Sequence, residues 1–145
     1  MNAPFAIEPP SLRNAALSDA NQWRGAMVDL FARGEMLIAK ALRRRQGEGK
    51  IPLHTSERAQ QLAAHLGEDD AGYGALETFM ALYRRRTSLI HGLSNLIVEE
   101  GGWVLAVEWD DGAGPRRDFF TEAESETDRL HLKSVVDQLR GALAS

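Results

Sequence analysis

The segment Tyr83-Arg84-Arg85-Arg86-Thr87-Ser88-Leu89-Ile90-His91-Gly92 gathers the residues best suited to chemistry on a phosphate ester. A guanidinium offers directed N–H donors to phosphoryl oxygens, and an imidazole exchanges protons near neutral pH. Metal-free cleavage of RNA needs those functions: a base for the ribose 2′-hydroxyl, charge to stabilise the phosphoryl oxygens, and an acid for the departing 5′-oxygen. The hydroxyls of Thr87 and Ser88 are available to position the phosphate. Helix residues turn by about 100° each, so on a regular helix Arg84 and His91 share a face while Arg86 and His91 diverge by about 140°. A site built on Arg86 therefore needs a local distortion or a second subunit.

Helices are expected to position this segment. Trp23, Met27, Leu30, Phe31, Leu37, Ile38 and Ala41, with Gly34, follow helical spacing and predict a first helix from about residue 19 to 46, capped by Ser18 or Asp19 and ended by Gly47-Glu48-Gly49. Arg43, Arg44 and Arg45 then fall in its last turn, where cations complement the helix dipole. A short helix over about 57–66, introduced by Thr55 or Ser56, turns Leu62 and Leu66 inward and stops at Gly67. Tyr73, Leu76, Phe79, Met80, Tyr83, Thr87, Ile90, Ser94 and Ile97 predict a third helix reaching about residue 98, with the Arg triplet and His91 along it.

The period then changes. Trp103 to Trp109 is rich in strand formers, a Gly- and Asp-containing turn follows, and a second short strand near Arg117 to Phe120 completes a β-hairpin. Trp103 and Trp109 lie on one strand face with Leu105 and Val107, a pattern for packing the hairpin onto the helices. Thr121 with Glu124 makes a capping box before a last helix that turns Leu132, Val135, Val136, Leu139 and Leu143 inward. The expected fold is mainly α: a four- to five-helix up-down bundle with an inserted β-hairpin before the C-terminal helix. Residues 1–17 read as a flexible N-terminal tail and 18–145 as one helical domain.

Composition narrows the function. The chain of 145 residues has no cysteine, which removes disulfides, thiol catalysis and cysteine-ligated zinc. His54 and His65 with nearby acids match no metal-ligand spacing, so neither a metal nor another cofactor is expected. A net charge of −4 argues against coating nucleic acid by bulk electrostatics, so an anion site must be local. No apolar run has the length of a membrane span and no leader-like segment opens the chain, which points to a cytoplasmic protein.

Arg86-Thr87-Ser88-Leu89-Ile90-His91-Gly92, in its helical setting, resembles the R-x4–6-H signature of HEPN domains. The resemblance implies a helical bundle that dimerises into a composite cleft and acts as a metal-independent endoribonuclease, leaving 2′,3′-cyclic phosphate ends, in toxin or defence systems. It implies catalytic roles for Arg86 and His91, with Arg84, Arg85, Thr87 and Ser88 holding the RNA. Implied partners are RNA, a second copy of the chain, and an antitoxin or other protein. Thr87 stands where the family often has Asn, Asp or His, and Leu93 stands where members controlled by a nucleotidyltransferase carry Tyr. The same segment admits a structural account, in which the chain is a non-catalytic dimerisation or scaffold module and the arginines pair with the acidic last helix. A small-molecule-binding bundle, with a large enclosed apolar pocket, is a third account.

Overall fold

A computed structural model of the chain describes residues 10–47 and 49–144. Their order is α1 (Pro10–Gln46), α2 (Thr55–His65), α3 (Ala71–Tyr83), α4 (Arg86–His91), β1 (Leu93–Glu99), β2 (Gly102–Asp110), β3 (Pro115–Thr121) and α5 (Glu122–Ala142). The chain is mainly helical, with one three-stranded antiparallel sheet in the order β1-β2-β3. Helix α1 begins nine residues earlier than its apolar stripe suggests, so residues 10–17 of the expected tail are helical, and residues 1–9 lie outside the described residues. Asp19 is consequently no cap; its Oδ2 accepts from the Trp103 indole at 2.7 Å. At the other end Gly47 takes φ 75°, a left-handed conformation suited to glycine, and its N–H closes onto Arg43 O.

Helix α1 is the spine. It packs against α2, α4, α5 and the sheet, and α3 packs against α5. Gly34 sits where an added Cβ would meet the Phe79 ring at 2.2 Å, so its missing side chain allows α3 to approach α1. Phe31, Phe79 and Tyr83 cluster there with ring centroids near 6 Å apart. A second aromatic group, Trp23, Trp103 and Phe120, seals the inner sheet face onto α1. Trp103, Leu105 and Val107 are buried as expected, whereas Trp109 is only half-buried. Thr121 caps α5 by accepting from Glu124 N, and Leu132, Val135, Val136, Leu139 and Leu143 all point into the core.

The main correction concerns the third helix. It ends at Tyr83 rather than near residue 98, and residues 93–99 form strand β1, so the expected hairpin is a three-stranded meander. Leu96 faces Leu105, which faces Phe120, a row that buries β1 on the core side. Ile90, Ser94 and Ile97 fit helical spacing, but Leu96 and Val98 also fit a strand, and pairing with β2 decides between them. Gly92 makes the change of direction possible. A Cβ there would meet Val107 Cγ1 at 2.1 Å and Ser88 O at 2.6 Å.

Candidate functional site

The helical ladder is interrupted immediately before the motif. Arg84 and Arg85 keep right-handed helical dihedrals, and Arg85 N bonds to Leu82 O at 3.0 Å, a tightened turn that ends α3 and starts α4. The distortion lies upstream of Arg86. The step from Arg86 to His91 runs within one short helix and keeps their divergence of about 140°. Their surroundings differ accordingly: Arg86 turns toward α1 and α3, while His91 is exposed at the end of α4. Among the described residues, no hydrogen bond or ion pair joins the two side chains.

Arg86 belongs to a polar knot built from four helices. Its Nε lies 2.6 Å from Glu35 Oε1 on α1, and its guanidinium carbon lies 5.4 Å from the centroid of the Tyr83 ring. Glu35 Oε1 is buried and accepts no well-aligned hydrogen bond, so the contact is a close charge pair rather than a directed bond. Tyr83 also neighbours Thr55, the buried first residue of α2. Burial raises the Tyr83 phenol pKa; the nearby Thr55 hydroxyl and the Arg86 charge oppose that shift, and Glu35 adds to it. The knot fixes where Arg86 points. Its two terminal nitrogens have no hydrogen-bond partner among the described residues.

The other candidate residues fall into two groups. Arg84 and Thr87 are exposed. Arg85 is partly withdrawn, its guanidinium carbon 4.5 Å from the Phe120 ring centroid and its NH1 3.9 Å from Asp128 Oδ2 on α5. Ser88 is a correction to its expected RNA contact. It is fully buried, and its hydroxyl reaches Arg85 O at 2.9 Å and Asp118 Oδ2 on β3 at 3.3 Å, tying α4 to the sheet where a polyanion has no access. Gly92 likewise has a packing reason. The expected pairing of the triplet with the last helix holds for Arg85, whereas Arg86 pairs with α1.

Two neighbours of the candidate residues were not visible in the spacing. Glu35 follows Gly34 on the border of the α1 stripe, where a carboxylate resembles any solvated helix residue; its closeness to that stripe was the available signal. Arg24 of α1 donates through Nε to Leu89 O, and through its terminal nitrogens to Ser94 Oγ at 3.2 Å and Gly92 O at 3.4 Å. It thereby holds the C-terminal end of α4, where exposed carbonyls favour a cation. His54 and His65 join no metal-sized group of His, Asp and Glu among the described residues. No helix among those residues is long and apolar enough to cross a membrane. Comparison of the chain with models of protein families, with curated proteins and with solved structures finds no match.

Proposed function

We propose that the chain is a metal-independent endoribonuclease of HEPN type, a cytoplasmic toxin or defence enzyme whose helical frame acts as an up-down bundle in a homodimer. One observation carries the reading. Arg86 is paired with Glu35 through Nε, and among the described residues neither its terminal nitrogens nor the exposed His91 ring has a hydrogen-bond partner, both residues lying on one six-residue helix. In the reaction His91 removes the 2′-hydroxyl proton, the oxygen attacks phosphorus, and Arg86 stabilises the charge gathering on the phosphoryl oxygens. His91 then gives the proton it took from the 2′-hydroxyl to the departing 5′-oxygen as the P–O5′ bond breaks, and a 2′,3′-cyclic phosphate remains. Because Arg86 and His91 leave α4 in different directions, the reading assigns each phosphate an Arg86 and a His91 from opposite copies.

The test is cleavage of a mixed RNA in EDTA by the unaltered protein, His91→Ala and Arg86→Lys. The lysine keeps a charge for Glu35 but loses the planar fork, so a folded protein with lost activity isolates the chemistry. Cyclic phosphate ends from the unaltered protein alone support the reading. An inert unaltered protein, or variants that cut as well as it does, would refute it.

A second reading has its own observation: Ser88 is buried, Gly92 is needed for packing, and Arg85 and Arg86 both face carboxylates. In that reading the motif is a structural joint and the chain is a non-catalytic dimerisation or scaffold module for a protein partner. It predicts that Arg86→Lys and His91→Ala leave partner capture intact while no RNA is cut.

A further inference from the structure

Between helices α2 and α3 lies an open groove of about 530 Å³ that none of the motif residues explains. Its size falls in the range of small-ligand sites, but it is open along one side. The reason lies in the sequence of α2. Ala59 and Ala63 face α3 with side chains too small to fill the space, so Tyr73, Leu76 and Met80 of α3 form an apolar floor with room above it. The rim is polar: Ser56 and Gln60 contribute a hydroxyl and an amide from α2, and Glu77 lies on α3.

At one end the groove reaches Arg84 and Tyr83. Arg84 is exposed, and no hydrogen bond or ion pair engages its guanidinium among the described residues. Tyr83 is shared, since it lines the groove and its ring also receives the Arg86 guanidinium. A ligand seated in the groove therefore ends at a free cation one side chain away from the Arg86 knot. An apolar slot with amide and hydroxyl groups on its rim and a guanidinium at its mouth suits a flat, edge-polar ring carrying a phosphate.

We infer that the α2–α3 groove receives an unpaired nucleobase of single-stranded RNA, with Arg84 holding the adjoining phosphate. The inference rests on the ribonuclease reading for its substrate and extends it to a class, because only an unstacked base can enter the groove. Duplex RNA keeps its bases stacked and presents mainly backbone and shallow minor groove. Stacking against the floor tolerates any base, while Ser56 and Gln60 can bond to its edge, so a modest base preference is expected. Glu77, the acid on the rim, disfavours a second phosphate there and leaves Arg84 as the anchoring end.

The test uses full-length protein carrying His91→Ala, so that RNA survives, and a short single-stranded RNA with one 2-aminopurine. Binding is followed by fluorescence beside a duplex of the same sequence. Ala63→Trp fills the groove from its wall, and Arg84→Ala removes the cation without touching the floor; circular dichroism checks both for fold. The expected result is single-strand binding that exceeds duplex binding and weakens by about tenfold in each variant, a loss on the scale of one stacked base or one strong phosphate contact. Equal binding by Ala63→Trp and its parent overturns the inference and leaves the ribonuclease reading standing. So does a groove-filled protein that loses dimerisation in sedimentation but keeps its RNA affinity, which assigns the groove to a second copy. A parent that binds no single strand overturns the inference whatever the cleavage assay gives.

Discussion

Replacing Gly92 by Ala tests whether the glycine beside His91 is there for packing. An added Cβ would lie 2.1 Å from Val107 Cγ1, 2.6 Å from Ser88 O and 3.1 Å from Glu108 O. The first collision can be eased by turning Val107, although that side chain is fully buried. The other two are with backbone, held by the C-terminal turn of α4 and by the β1–β2 pairing, so relief requires moving α4 away from the sheet. Gly92 has φ −74°, an ordinary value, so no conformational strain enters and the cost is overpacking alone. Overpacking of that kind costs about 3 kcal/mol at its upper end, or about 10 °C in Tm for a domain of this size. Gly25→Ala is the matched control. It lies inside α1 with nothing within 4 Å of the added carbon, and should stabilise by about 0.5–1 kcal/mol. Urea and thermal unfolding of the three proteins measure both effects. A Gly92→Ala protein within about 0.5 kcal/mol of the unaltered one, the scatter of neutral surface changes, would refute the packing account.

Three further outcomes follow from the same geometry. Ser88→Ala deletes a buried donor to Arg85 O and Asp118 and should cost about 1–2 kcal/mol in urea unfolding; a neutral result would mean the tie between α4 and β3 is not formed. A double-mutant cycle of Glu35→Gln and Arg86→Gln should show coupling of about 1–2 kcal/mol, between the values for exposed and fully buried pairs because both side chains are about a quarter exposed; coupling near zero rejects the pair. Burial raises the Tyr83 pKa above its unfolded value, so the folded state binds that proton more tightly. The associated stability is present below a pH of about 10 and is lost as pH rises through the folded pKa. Tyr83→Phe should therefore lose less stability than the unaltered protein between mildly and strongly alkaline pH, and parallel losses would reject the shift.

Much of the fold was legible because it rests on local signals. The Thr121 and Glu124 spacing placed the start of α5, Gly47 placed the end of α1, and the apolar stripes of both helices named their buried residues. The start of α1 was missed because residues 10–17 lack the continuous apolar stripe that marks the rest; Leu12 and Leu17 are exposed there. The third helix was overextended for a different reason. Both periods fit residues 90–98, and only the neighbouring strand supplies the hydrogen bonds that favour one.

The candidate site divides along the same line. Residue types alone marked Arg84 to Arg86 and His91 as the candidates for binding and protonating a phosphate ester, and helix geometry alone set the divergence of Arg86 from His91. Tertiary structure decided which of them reach solvent. It drew Arg86 to Glu35, which lies 51 positions away in the chain, buried Ser88 against Asp118, laid Arg85 over Phe120 and left Arg84 and His91 outside. Spacing along one helix specifies direction but not neighbours. Whether a guanidinium meets a carboxylate, a ring or water depends on which other helix crosses its path, and that is settled when the core packs.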